Sequence, residues 1–219
     1  MPNISKERQD ALVERTENPI VIPEIPKYVE TPSNRVYSKT KRIYSQNLQR
    51  AMNANVHNEV YNITGKNSGY NTQDMCTVFN YVNLNWNYYS DATDSEGADF
   101  FLNANQTIRD GYKGDCDDYA IVISALMKDM GFNTRVTLAL NTNSGHAYPE
   151  IYIGDDLETV NSIISYISSL YPQASEICYS KRSLSDGTTQ YWLNLDWSAS
   201  YPGGAFFYGA KTMYYPNGA

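Results

Sequence analysis

Cys116, His146 and Asp196 occur in an order and in settings that suit nucleophilic chemistry. Thiol acyl transfer needs a thiolate, an imidazole that activates it and shuttles its proton, and an acceptor that orients the imidazole. Cys116 opens a segment that reads as a buried helix. His146 opens the second of two strands that follow, and Asp196 ends a later strand. Each sits at the end of an element, where side chains from different elements converge on a cleft. The chain has only two histidines. His57 lies in a polar stretch with no partner pattern, so His146 is the well-placed base.

The stretch that must position the thiol is 111–131, GYKGDCDDYAIVISALMKDMG. Asp115 is the expected N-cap, with Asp118 three places on as in a capping box, which makes Cys116 the first helical residue. From Tyr119 to Met130 only Ser124, Lys128 and Asp129 are polar. A helix apolar on nearly every face belongs inside a domain, and Gly131 suits the position just past its end. The free N–H groups at the helix start favour a thiolate. By itself, a lone cysteine is more often a small buried hydrophobe. Asp115, Asp117 and Asp118 act against a thiolate by like-charge repulsion. They are expected to point away from the sulfur as solvated caps. A cation site is the second reading, though three acids in four residues lack the spacing of a calcium loop.

Composition sets the frame. The 219 residues suffice for one good core with appended arms, and 42% hydrophobic with 19% charged residues suits a soluble globular domain. A net charge of −7 argues against general nucleic-acid binding. No apolar run approaches the roughly 20 residues of a membrane span. The first 19 residues have no apolar core of a secretory signal, so the expectation is cytoplasmic, with a processed secreted form or a virion component as the alternative. Cys76, Cys116 and Cys178 are odd in number, widely spaced and without a CxxC pair. Zinc and a disulfide framework are not expected, and free thiols suit a reducing compartment. The 20 tyrosines fit half-buried amphipathic packing, with a tyrosine-lined peptide or sugar groove as the alternative.

Along the chain, residues 4–17 form a polar helix candidate. Pro19, Pro23, Pro26 and Pro32 mark an extended segment. Residues 1–34 are read as an arm packed on the domain or on a neighbouring subunit, or else as a tail. Residues 35–219 are the main domain. Helices are expected over 40–56, anchored by Ile43, Leu48 and Met52, and over 72–89, capped by Asn71 or Thr72. Residues 133–140 and 146–153 form a hairpin across an Asn/Gly turn, with a ladder gap or bulge at Pro149. A helical stripe runs from Leu157 to Leu170. A second hairpin joins 177–181 to 189–196 across Asp186–Gly187. The tail from Trp197 is irregular. Its Tyr201–Phe207 stretch either borders the cleft or closes the fold as a surface loop, and on the first reading Gly203 and Gly204 replaced by alanine reduce turnover but not folding.

GDCDDYA, GF-TRV, GHAYPEIYI and YWLNLDWS together resemble the transglutaminase-like core, a group that includes transglutaminases, peptide N-glycanases and bacterial or archaeal cysteine peptidases and is distantly related to papain. The resemblance covers roughly Thr72 to Trp197. It implies an α+β, papain-like fold with a central helix packed on an antiparallel sheet. It implies Cys116 as nucleophile, His146 as general base and acid, and Asp196 as the residue orienting His146, with no metal and no cofactor. One departure stands out: about fifty residues separate His146 from Asp196, where the family often has them on neighbouring strands. The excess contains the 157–170 helix, read as an insertion near 156–171. Asp155, Asp156 and Asp186 are weaker substitutes for Asp196. The oxyanion hole would use the Cys116 N–H and a side-chain donor. Gln106, Trp86 and Tyr112 are candidates that spacing does not separate, and for Trp86 a core position is the preferred reading.

Three functions follow. The first is thiol acyl transfer on an amide, chiefly hydrolysis of a peptide or isopeptide by a cysteine peptidase or amidase, with glutamine–lysine cross-linking as a variant. The second is a non-catalytic peptide- or glycan-binding module on the same fold. The third is an assembly component that uses the proline arm for contacts.

Overall fold

Capped at Asp115, the apolar segment folds as the helix Cys116–Asp129 in a computed structural model that describes residues 44–89 and 101–217. In chain order the elements are α1 (44–52), α2 (His57–Thr64), α3 (Thr72–Asn85), β1 (Asn87–Tyr88), α4 (Ala104–Arg109), β2 (Lys113–Gly114) and α5 (Cys116–Asp129). They continue with β3 (Thr134–Leu140), β4 (Gly145–Gly154), α6 (Leu157–Leu170), β5 (Tyr179–Ser183), β6 (Thr189–Asn194) and β7 (Ala210–Tyr214). This is an α+β fold. The antiparallel sheet has the order β5-β6-β4-β3-β7, and α5 packs on β3 and β4 with α2, α3 and α4 against its other sides. The arm assigned to residues 1–34 lies outside the described residues. Among those described, no helix is long and apolar enough to cross a membrane.

Local chemistry explains the helix ends. Asn71 caps α3 by accepting from the backbone N–H groups of Gln73 and Asp74, while the Asp74 carboxylate accepts from the Asn71 N–H, a complete capping box. The helix stops at Asn85, short of the expected Tyr89. The N–H groups of Asn87 and Tyr89 donate instead to the carbonyls of Tyr112 and Gly114, both at 2.8 Å. That parallel two-stranded ladder, β1 with β2, ties the loop before Cys116 to the end of α3. The expected 40–56 helix is described from residue 44 and ends at 52, with Leu48 and Met52 buried. The separate helix α2 follows. His57, expected to lack a partner, meets Asp129 at 2.9 Å and links the start of α2 to the end of α5.

The β3–β4 hairpin closes at Leu140–Gly145. Pro149 causes no bulge there, and the ladder gap it leaves is only the donor that a proline lacks. It keeps its place opposite Val136, and its carbonyl accepts from the Leu195 N–H. The irregularity lies instead between Tyr152 and Gly154 on the β6 side, where Gly154 takes a φ of 145° that only glycine adopts freely. The tail is less irregular than its composition suggests, since β7 pairs with β3 from Val136–Tyr214 to Leu140–Ala210. Between β3, β4 and β5, Arg135 and Glu150 form a buried two-pronged ion pair (2.8 and 3.0 Å). Thr137 and Ser180 also donate to Glu150.

Candidate active site

The loop that delivers Cys116 is tightly built. Gly111 and Tyr112 both take left-handed backbone, with φ values of 84° and 59°. For a bulky non-glycine residue that conformation costs about 1–2 kcal/mol. Its retention at Tyr112 is explained by three anchors: the N–H donates to Thr107, the carbonyl accepts from Asn87, and the hydroxyl donates to Glu59. Asp115 then caps α5, its carboxylate accepting from the Asp117 N–H at 3.2 Å. Cys116 is the first helical residue and half-buried.

His146 is the second residue of β4, and Asp196 lies two residues past the end of β6. Because β6 pairs directly with β4, the two come within 2.8 Å, from Nε2 of the imidazole to Oδ2 of the carboxylate. The fifty-residue separation is an excursion through α6 and β5 that returns the chain to the neighbouring strand. Both side chains are largely shielded, at 14% and 3% exposure. Asp196 is itself held: its N–H donates to the Asn194 side chain, and Ser198 donates to both carboxylate oxygens, from its hydroxyl at 2.9 Å and its N–H at 3.3 Å.

With Nε2 engaged by Asp196, Nδ1 is the nitrogen left for Cys116, whose thiol is near enough to act on the ring. Burial lowers the imidazole pKa. The hydrogen bonds to Asp196 and Cys116 and their negative charge outweigh that effect and push it up to about 9. Phe207, from the tail, lies 5.3 Å from the imidazole ring. Cys76, by contrast, sits inside α3 and burial pushes its thiol up to about 12. No disulfide engages Cys76, Cys116 or Cys178.

The three oxyanion candidates fare differently. Gln106 donates to Asp110 and accepts from Arg109, so its amide is spent on its own helix turn. The Tyr112 hydroxyl is spent on Glu59. Trp86 caps the end of α3 with its ring edge-on to Tyr119 at 5.1 Å, and its buried Nε1 has no hydrogen-bond partner among the described residues. Of the three, Trp86 alone keeps an unmet donor. Beside it an open groove of about 470 Å³ runs past Asn80 and Asn83 to Tyr88 and Trp197.

The acidic residues around Cys116 differ from expectation. Asp117 and Asp118 are not solvated caps; both are buried. Asp118 accepts from the Leu102 N–H and does not close a capping box. Carboxylate oxygens of Asp115, Asp117 and Asp118 lie within 4.8 Å of one another, close enough to share a metal ion. Burial, then Asp115 and the neighbouring charges, push the Asp117 carboxyl up to about 10. Gly114 is obligatory here, since a Cβ at that position would stand 2.3 Å from an Asp118 oxygen.

In the tail, Gly203 and Gly204 have packing roles. Gly203 has a φ of 89°, and a Cβ there would lie 2.4 Å from Ile177; one at Gly204 would lie 2.3 Å from Ala199. The tail reaches the site through Phe207 rather than through its glycines. Sequence reasoning missed Ser198 and Asn194, although both lie in the NLDWS run that carries Asp196. It also missed the stacked pair Tyr88 and Trp197 (5.3 Å), whose residues are far apart in the chain.

Residues 60–162 match the transglutaminase-like superfamily. No curated protein sequence matches the chain. Among solved structures, calcium-bound LapG of Legionella pneumophila is similar at 17% identity and a TM-score of 0.40, covering 74% of this chain and 76% of that one. A second LapG structure from the same organism is 16% identical, with a TM-score of 0.40, covering 80% and 88%. A candidate cysteine protease from Cytophaga hutchinsonii is 21% identical, with a TM-score of 0.34, covering 78% of this chain and 50% of that one. The matched family segment includes Cys116 and His146 and ends before Asp196. The stretch 60–162 is thus similar to the transglutaminase-like core.

Proposed function

We propose that this protein is a cysteine peptidase or amidase that works through an acyl-enzyme on Cys116. The observation that carries the reading is the arrangement of His146, bonded through Nε2 to Asp196 at 2.8 Å and near enough to Cys116, at the start of a buried helix, for the thiol to act on the imidazole. In the proposed cycle, Cys116 Sγ gives its proton to His146 Nδ1 and attacks the amide carbonyl carbon. The Cys116 N–H and Trp86 Nε1 hold the developing oxyanion. The C–N bond breaks as His146 returns the proton to the leaving amine, which leaves a thioester. His146 then takes a proton from water, the hydroxide attacks the thioester, and the acid departs as the thiol is reprotonated. Asp196 keeps the ring oriented and stabilises the imidazolium throughout.

The test is incubation with a tryptic peptide library, followed by mass spectrometry. Products formed by wild type and absent with Cys116→Ala are expected. Products carrying an added primary amine in place of water would mark cross-linking chemistry. No Cys116-dependent product would put the non-catalytic binding module ahead.

A second element belongs to the same reading. Asp117 is only 5% exposed, and its Oδ1 has no hydrogen-bond partner among the described residues, while two more carboxylates stand within 4.8 Å. A hard divalent cation held by Asp115, Asp117 and Asp118 would satisfy that oxygen and neutralise the cluster. It would thereby stiffen the turn that presents Cys116. Calcium is expected to raise the Tm of wild type over that in EDTA and to leave Asp117→Asn unmoved. Equal shifts in both proteins would remove the cation from the account.

A further inference from the structure

We propose that the groove between α3 and the segment after β6 is a subsite for a large apolar side chain, aromatic above all, next to the scissile amide of a peptide substrate. This rests on the peptidase reading and adds a specificity to it. Trp197 follows Asp196 directly, and Ser198 in the groove wall bonds the Asp196 carboxylate. Trp86, with its unmet N–H, lines the same groove. Tyr88 pairs with Gly114, two residues before Cys116. The groove therefore continues from the catalytic centre.

Among the described residues, no charged side chain lines the groove. Its aromatic wall is the Tyr88–Trp197 stack, 5.3 Å between rings, in which Tyr88 is 55% and Trp197 36% exposed. The polar groups are largely committed within the protein. Asn83 accepts from Tyr119 and donates to Ala199, Ser198 donates to Asp196, and the Asn80 oxygen accepts from Tyr171. Few groups remain to bind the many hydroxyls of a sugar, whereas ring surface remains for an apolar side chain. The Asn80 amide nitrogen is left to donate to a peptide carbonyl. A charged side chain would lose hydration there without a partner.

Burying a Phe-sized side chain in an open groove is worth about tenfold in affinity. The experiment is isothermal titration of full-length Cys116→Ala with Ac-Ala-Ala-Phe-Ala-Ala-NH2, its Glu counterpart and chitotriose. The Phe peptide should bind about tenfold more tightly than the Glu peptide. The advantage should disappear when Trp197→Ala is added and persist with Trp197→Phe. Equal affinities, no saturable binding of the Phe peptide, an advantage that survives Trp197→Ala, or tighter binding of chitotriose overturns the inference. Alkylation of Cys116 by iodoacetamide in wild type and His146→Ala reports separately on the peptidase reading. His146-dependent reactivity without a Phe preference sinks the subsite alone.

Discussion

Replacing Asp196 by Asn keeps the shape beside His146 and removes the charge. In the native protein the imidazole is held at about 9 against burial, which alone would lower its pKa. A charge-assisted hydrogen bond contributes roughly 1–2 kcal/mol more than a neutral one, so Asp196→Asn should lower the His146 midpoint by about 1 pH unit. The proton NMR titration of the imidazole reads this directly, and the chain's only other histidine, His57, supplies an internal signal. Repeating the titration in Cys116→Ala separates the share contributed by the thiol. Stability should move in parallel. A pKa raised above the unfolded value stabilises the fold fully below about pH 6.5 and loses that contribution as pH rises through about 9. The rise corresponds to roughly 3 kcal/mol, so urea midpoints of wild type should fall between pH 6.5 and 9, and those of Asp196→Asn should fall less. An unmoved His146 midpoint in Asp196→Asn would refute the pairing. So would a wild-type midpoint near ~6.5, the value of an unperturbed imidazole.

Other perturbations test the scaffold that holds the site. Glu150→Ala leaves Arg135, 3% exposed, buried without its carboxylate. Urea unfolding should show a loss of about 3–5 kcal/mol, and the double change Arg135→Met with Glu150→Leu should cost less; a loss under about 1 kcal/mol for Glu150→Ala would mean the pair is hydrated. Gly203→Ala should lower stability by about 2–4 kcal/mol, since left-handed backbone and a clash with Ile177 act together. Calorimetry showing an unchanged Tm with altered turnover would restore a cleft role for that glycine. Asn194→Ala frees both the Asp196 N–H and the carbonyls of Gly204 and Ala205. Its turnover should fall mainly through kcat, and a change confined to KM would argue that Asn194 does not position Asp196.

The central helix was legible because the local signals agree. An Asp cap, an unbroken apolar run and a terminal glycine all point to Cys116–Asp129, and the structure closes that end with bonds from Gly131 and Phe132 back to Lys128 and Met127. The two hairpins were legible from their turn residues. The pairing of His146 with Asp196 came from the family resemblance alone, because strand adjacency across an intervening helix is a tertiary property that spacing does not encode. Strand β7 was hidden for a related reason: its five residues gain their ladder only from β3, seventy or more positions earlier. The acidic residues beside Cys116 read as solvated caps, since burial of a carboxylate leaves no mark in composition. Nor does sequence show that Gln106 and Tyr112 are spent on neighbours while Trp86 is not. The stripe of α6 was read well at Val160, Ile164 and Ile167, whereas Leu157 and Leu170 at its ends are exposed.

The most direct measurement is the rate of Cys116 alkylation by iodoacetamide across pH 5 to 9, in wild type and His146→Ala, with peptide mapping of all three cysteines. The account predicts that Cys116 reacts far faster than Cys76 and Cys178 at pH 6, and that His146→Ala removes the advantage, because the imidazolium beside it stabilises the thiolate. A Cys116 that follows an ordinary thiol profile with a midpoint near ~8.5, or whose reactivity does not depend on His146, would contradict it.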